Sequence, residues 1–328
     1  MIPNKPMTLM CVQPAMAYYA WQVEVMLANF EKLKIHRHFN IHLLFAYNKT
    51  EPNWQESVSW IRKIEEKYET IASFFYYQDT REYPISYISS IRPNLLKQHF
   101  KRFPLLGQIP VFYHDSDIIF TKFPDFMFDL LEDDGVWYVS DTVSYIGYEY
   151  IVSKGEDVLN DMCSIVGINP YLVKEKQNES GGAQYLMKNV DWVMFDKMEK
   201  DCEQMFKEIT ELNNKKVIAD PTHHPLQIWT ADMWCLIWAA WLRGSTTKVI
   251  PELDFCWATD PISNFDKKFI FHNAGVTDHD KEILFYKGDF RYNLPYQVDG
   301  SKYDQNRASY KYYEIIKEIG ENSALYDK

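Results

Sequence analysis

Glycine is scarce in this chain, with 12 residues in 328. That excludes collagen-like repeats and Gly-rich low-complexity sequence. Cysteine is as thin. Cys11, Cys163, Cys202, Cys235 and Cys256 are scattered, odd in number and without C-x-x-C spacing, so neither a disulfide framework nor a zinc site is indicated. No apolar run reaches the ~20 residues a membrane helix needs. Met233–Leu242 comes nearest and has about half that length. From Met1 to Thr8 no charged stretch precedes an apolar one, so no leader is expected. A basic excess is also missing. The net charge of −11 and pI near 5.3 give no global attraction to nucleic acid or an anionic membrane. The stretch from Lys97 to Arg102 is the one candidate basic patch. These absences imply a cytoplasmic protein of a reducing compartment.

What is present is core-forming material. Hydrophobic residues make up 46% of the chain and aromatics 16%, ample for a sizeable core. Strands are predicted over Met7–Gln13, Asn40–Tyr47 and Ile71–Tyr77, with helices over Trp21–Lys34, Asn53–Tyr68 (Asn53 as cap) and Pro93 to about Phe103. Such alternation predicts a mainly parallel sheet with helices on both faces and ligands at the carboxyl ends of its strands. The second half is less regular. It reads as a strand or hairpin over Gly135–Tyr150, a helix over Glu156–Val166, a turn at Asn178–Gln184 leading into an apolar strand, and a long helix over Val193–Leu212. A Trp-rich helix over Thr230–Leu242, a short strand over Lys268–Asn273 and a closing helix over Tyr310–Ile319 follow.

Ile109-Pro-Val-Phe-Tyr-His-Asp-Ser-Asp-Ile-Ile-Phe120 is an apolar run interrupted by Asp115 and Asp117. A buried strand that delivers two carboxylates to its end suits a divalent cation held against a diphosphate, because hard oxygen ligands suit Mg²⁺ or Mn²⁺. The competing reading is a plain strand-end turn. Phe269-Ile-Phe-His-Asn-Ala-Gly275 is another strand, ending in His272. If it returns beside the acidic pair, His272 Nε2 becomes a third ligand, a mixed set that favours Mn²⁺ over Mg²⁺. Otherwise His272 caps a strand end. Arg92 and Lys97 are placed to approach a diphosphate, and Asn94 a sugar or ribose hydroxyl; for Lys97 a solvated helix face competes. The loop after the first strand brings Gln13 to the same edge. Gly181 and Gly182 let backbone approach a ligand, and Gln184 is a candidate reader of a sugar hydroxyl; an ordinary turn is the alternative. Asp232 is the only charge in the apolar helix that follows Trp229. It serves either as a general base or as a complement to the helix dipole. Trp229 and Trp234 are candidate stacking platforms, Trp238 and Trp241 core, and His223 and His224 surface.

Taken in order, these pieces resemble the GT-A class of glycosyltransferases. Arg92-Pro-Asn, the Asp-x-Asp run, the Gly-Gly turn, Trp229-x-x-Asp-Met-Trp with Ala-Ala, and Phe271-His-Asn-Ala-Gly follow one another as in the hydroxyproline O-arabinosyltransferase and peptidyl-serine galactosyltransferase group, over about residues 85–275. The resemblance implies an α/β, GT-A fold: a Rossmann-like, mixed but mainly parallel sheet flanked by helices, in a single domain over 1–328. Within it a donor-binding half would span about 1–125, an acceptor-binding half about 126–300, and a C-terminal helix 301–328. It implies metal-dependent transfer of a hexose or arabinose from a nucleotide sugar, UDP-linked, to an acceptor hydroxyl. Asp115, Asp117 and His272 would hold Mn²⁺ or Mg²⁺, with Asp115 also near the donor. Gln13, Arg92, Asn94 and Lys97 would bind donor; Gly181, Gly182, Trp229 and Trp234 would bind acceptor. Asp232 would be the base of an inverting reaction, and Gln184 gains importance in a retaining one.

The sequence also departs from that group. Asp232 stands where the group tends to have Glu, and no membrane anchor is evident. A soluble version looks more like a viral or bacterial enzyme. Phage glycosyltransferases decorate 5-hydroxymethylated pyrimidines, so modified DNA is an acceptor by analogy, beside a protein or glycan hydroxyl. Two rivals remain. A phosphatase of the Asp-x-Asp-x-Thr/Val kind is disfavoured by Ile119 and by the motif's place after at least three strands. A non-catalytic sugar- or DNA-binding module is disfavoured by retention of both aspartates, His272 and the glycine pair.

Overall fold

Apolar strands alternating with helices build the first half of the molecule. The computed structural model describes residues 5–81, 84–132 and 134–326. The first four residues of the predicted leaderless N-terminus, and the last two of the 301–328 segment, lie outside the described residues. β1 (Thr8–Pro14), β2 (Asn40–Tyr47) and β3 (Ser73–Gln78) run parallel, joined by α1 (Ala17–Lys32) and α2 (Trp54–Tyr68). β1 is covered on both faces, which is why Leu9-Met-Cys-Val12 reads as an unbroken apolar run. α3 (Ile91–Arg102) leads into β4 (Val111–His114), parallel to β1 on its other side.

β5 (Ile118–Phe120) leaves the sheet, and β6 (Val136–Asp141) re-enters it. Four helices follow, α4 (Val143–Ile146), α5 (Tyr148–Val152), α6 (Glu156–Val166) and α7 (Pro170–Glu175), then β7 (Gly181–Met187) and the long α8 (Trp192–Ala219). α9 (Ala231–Leu242), β8 (Thr246–Val249), β9 (Phe255–Trp257), β10 (Ile270–His272) and α10 (Ala308–Gly320) complete the order. The main sheet runs β3-β2-β1-β4-β7-β6-β8, with β7 antiparallel to both neighbours. It is the mixed, mainly parallel sheet with flanking helices that the α/β reading expects. A small sheet, β5-β10-β9, stands apart. One apolar cluster packs under α3, α8 and α9, the other under α1, α2 and α10. Among the described residues, no helix is long and apolar enough to cross a membrane.

Several expectations shift in detail. Asn53 precedes α2 but its side chain caps nothing. The stretch read as a strand or hairpin after Gly135 is one strand followed by two short helices. Gly181 and Gly182 open β7 instead of forming a turn. A Cβ at Gly181 would lie 2.3 Å from Val139 Cγ2 and 2.5 Å from Ser140 O, so glycine there lets β6 come close. β8 and β9 are too short for alternation to announce them.

Candidate active site

The carboxyl edge of the parallel strands is where β4 ends, and the chain then turns through Asp115, Ser116 and Asp117 into β5. β10 runs antiparallel to β5, with His272 opposite Ile118. His272 therefore does return beside the acidic pair, in the small sheet instead of the main one. Its Nε2 lies 3.3 Å from Asp117 Oδ1 and 3.6 Å from Asp115 Oδ2. One ligand atom from each of the three residues falls within 4.8 Å of the others. Two carboxylates and an imidazole at that spacing fit Mn²⁺ or Mg²⁺.

Two cations attend the acids. Lys287 Nζ donates to Asp117 Oδ2. Burial alone would raise the Asp117 carboxyl, but Lys287 and His272 hold it well below the usual carboxylate range. Burial opposes the Lys287 charge, but Asp117, Tyr18 and Asp115 together outweigh it and lift the ammonium above its usual range. Sequence reasoning missed Lys287. It opens a short 3-10 helix, Lys287–Phe290, and the only cue is a lone cation after two aromatics in Phe285-Tyr-Lys-Gly288. Arg92, near the start of α3, spans two acids: Nη2 is 2.8 Å from Asp115 Oδ1 and Nη1 is 3.0 Å from Asp232 Oδ2. Tyr87 Oη donates to Asp232 Oδ1 at 2.6 Å. Both Asp232 oxygens are engaged, an arrangement that holds Arg92 in place.

Gln184 is fully buried behind His272. Its carboxamide nitrogen lies 3.3 Å from His272 Nδ1, and its oxygen 2.6 Å from Ser140 Oγ, which is also 2.7 Å from Leu253 O. Ser140 has one proton to give. Donated to the Leu253 carbonyl, it leaves the hydroxyl oxygen to accept from the Gln184 NH₂ with the carboxamide turned end for end. The Gln184 carbonyl would then accept from His272 Nδ1–H, and the Nε2 lone pair would be free to ligate a cation in place of donating to Asp117.

A cavity of about 290 Å³ opens over this cluster, lined by Arg92, Asp115, Asp232, His272 and Lys287, by Tyr113, Tyr145 and Tyr185, and by Trp229 and Trp257. A hollow of about 100 Å³ shares Arg92 and Asp115 with it and is walled by Gln13, Pro14, Tyr19 and Ser116. The Gln13 carboxamide nitrogen has no partner among the described residues.

Other sequence candidates lie elsewhere. Asn94 is buried and donates to Thr80 and Glu199, while Lys97 pairs with Glu199 at 2.6 Å and Asp196 at 3.3 Å. Both tie α3 to α8. Two residues along a helix is ~200° round its axis, so Asn94 faces away from Arg92. Trp234 is withdrawn to the core: α9 is apolar all round, and this indole N–H donates to Ile146 O at 2.8 Å. Trp229 is 61% exposed and does line the cavity. Gly181 and Gly182 are buried and shape a wall; a Cβ at Gly182 would meet Tyr185 Oη at 2.3 Å. Trp238 and Trp241 are core, as expected.

No protein-family model matches the sequence, and no curated protein does either. Among solved structures the fold is similar to that of the WbbM bifunctional glycosyltransferase, with TM-score 0.51 and 10% identity, over 98% of this chain and 50% of that one. This chain thus spans half the length of that protein. The galactosyltransferase LgtC, bound to donor and acceptor sugar analogues, aligns over 95% of both chains with 11% identity and TM-score 0.42. The Streptococcus pneumoniae glycosyltransferase GlyE aligns over 99% of this chain and 66% of its own, with 14% identity and TM-score 0.40. At such identities the likeness is one of fold.

Proposed function

We propose that this chain is a metal-dependent GT-A glycosyltransferase that moves a sugar from a nucleotide sugar to an acceptor hydroxyl. The carrying observation is that Asp115, Asp117 and His272 converge within chelating distance where a mainly parallel sheet ends. Ligands bind at that edge in α/β folds. The bound cation, Mn²⁺ before Mg²⁺ on this mixed donor set, supplies Lewis-acid stabilisation of the leaving diphosphate.

The chain's own groups do the rest. The hollow beside Gln13 takes the nucleoside, a uridine in the reading adopted here. Arg92 and Lys287 bring positive charge to the diphosphate as the sugar departs. Asp232 and Tyr87 hold the Arg92 fork in place. Asp232 serves as a positioning group, because its two oxygens hold Arg92 and Tyr87. The acceptor enters past Trp229, whose exposed indole offers a face to a sugar ring. An uncharged glycan or protein hydroxyl is favoured over modified DNA, since Arg92 and Lys287, the Lys and Arg side chains lining the cavity among the described residues, are both committed to the donor diphosphate. The phosphatase alternative loses ground because its nucleophile, Asp115, is tied to Arg92.

A thermal-shift screen of UDP- and GDP-sugars, each with and without Mn²⁺, tests the proposal. A ligand that binds only the folded chain raises its melting temperature. Mn²⁺-dependent stabilisation by one nucleotide, abolished in Asp117→Ala, is expected. Absence of any nucleotide effect would overturn the reading.

A further inference from the structure

Two hydrogen-bond donors in the main cavity have no partner. The Tyr185 hydroxyl and the Asn273 carboxamide nitrogen line it, and neither bonds to anything among the described residues. Tyr185 is 2% exposed and Asn273 3%, so bulk water does not serve them. A buried donor left unbonded weakens a fold, and such groups persist where a ligand completes them.

Both are held firmly. Tyr185 stands opposite Tyr113 across β7 and β4, the two rings stacked at 6.0 Å. Its hydroxyl fills the room that Gly182 leaves. Ala183 has a left-handed φ of 69°, a costly conformation for a residue with a Cβ, at the point where β6–β7 pairing shifts register. That kink aims the wall. Burial, then Asp232, Tyr113 and Tyr145, push the Tyr185 phenol well above its usual range, so it keeps its proton. Asn273 is fixed by its own backbone N–H, which donates to Asp117 O at 2.9 Å. One donor therefore comes from each sheet, beside the acidic cluster.

We propose that Tyr185 and Asn273 donate to two hydroxyl oxygens of the sugar being transferred and so determine which sugar the site accepts. The inference rests on the glycosyltransferase reading. Arg92 and Lys287 carry charge suited to phosphate, whereas these two neutral donors suit neutral oxygens. A site built to donate to a hydroxyl rejects the analogue that lacks it, because the donor is then buried and unpaired again.

The test compares bare nucleotide with sugar nucleotide. Wild type, Tyr185→Phe and Asn273→Ser are titrated by calorimetry in Mn²⁺ with UDP, GDP and CDP, then with UDP-glucose, UDP-galactose, UDP-N-acetylglucosamine and GDP-mannose. Each variant is expected to keep bare-nucleotide affinity within about twofold and to lose on the order of tenfold for the sugar nucleotide that wild type prefers. Free Tyr185→Phe is expected to melt no lower than wild type, since the hydroxyl removed had no partner. Unchanged sugar-nucleotide affinity in both variants, or a lowered melting temperature of free Tyr185→Phe, would overturn the proposal while leaving the glycosyltransferase reading intact. Failure of every nucleotide to bind in Mn²⁺ would overturn that reading and the inference with it.

Discussion

Arg92 and Asp232 form a 3.0 Å ion pair between α3 and α9, and the same guanidinium reaches Asp115 at 2.8 Å. The pair links α3 to α9 across the cavity, the proposed donor-side helix to the proposed acceptor-side one. Asp232→Asn should release one arm of the fork and weaken nucleotide binding by about tenfold, with kcat changed less. Calorimetry and initial rates separate the two. A large fall in kcat at unchanged nucleotide affinity would instead make Asp232 a base.

Lys287 pairs with the Asp117 carboxylate, so a cation bound by the proposed triad would compete with it. Lys287→Met should therefore change two affinities in opposite directions. Mn²⁺ alone should bind more tightly, by roughly tenfold, because an attractive lysine no longer has to be displaced. The nucleoside diphosphate should bind more weakly. Mn²⁺ titration followed by electron paramagnetic resonance, with and without nucleotide, reads both.

Gln184 touches His272 from behind and would orient it in the proposed metal site. Replacing such an orienting partner typically costs ~10–100-fold in metal affinity. Gln184→Leu should show a loss of that size, whereas Gln184→Glu, which keeps a hydrogen-bond acceptor for Nδ1–H, should retain most of it. Equal losses in both variants would argue against the tautomer assignment.

Acid should destabilise the fold through a buried histidine pair remote from the site. His42 Nδ1 lies 3.1 Å from His99 Nε2, and Tyr77 Oη lies 2.7 Å from His99 Nδ1. Burial lowers His42 to about 4; burial, with His42 and Arg102 nearby, lowers His99 to about 2. Unfolded histidine titrates near ~6.5. Below that value the unfolded chain binds protons that the folded chain refuses, so stability is full above pH ~6.5 and falls as pH drops toward ~4 and below. The urea midpoint should decline over that window. His42→Phe should flatten the decline.

Glu24, fully buried in α1, accepts from Lys67 Nζ at 3.0 Å, Tyr296 Oη at 2.5 Å, Ser323 Oγ at 2.6 Å and the Ala324 N–H at 2.7 Å. It fastens the C-terminal segment to the first helix. Glu24→Ala leaves those donors buried and should cost about 3 kcal/mol. Limited proteolysis should then cut beyond residue 290 first.

The cluster at the heart of the candidate site was legible because burial writes itself into composition. Asp115 and Asp117 stand out against an apolar frame, and His272 ends a short apolar strand. Trp234 misled because a tryptophan suits stacking and core alike; the uniformly apolar α9 around it was the better guide. Gly181 and Gly182 looked like a turn because glycine permits turns, whereas here its use is the close approach of β6. Lys287 carries no periodicity, since it opens a 3-10 helix of only four residues, Lys287–Phe290, too short to impose one. Asn94 and Lys97 shared a short motif with Arg92, but helix geometry turns them to other faces.

The chelating triad draws Asp115 and Asp117 from one side of the chain's middle and His272 from far beyond it, with Lys287 later still. No stretch emerging early from the ribosome completes the cluster. A nascent chain would carry β1 to β5 and both aspartates yet lack His272 until β10 had emerged and paired with β5. The candidate site would thus assemble late in synthesis, as a step and not a gradient.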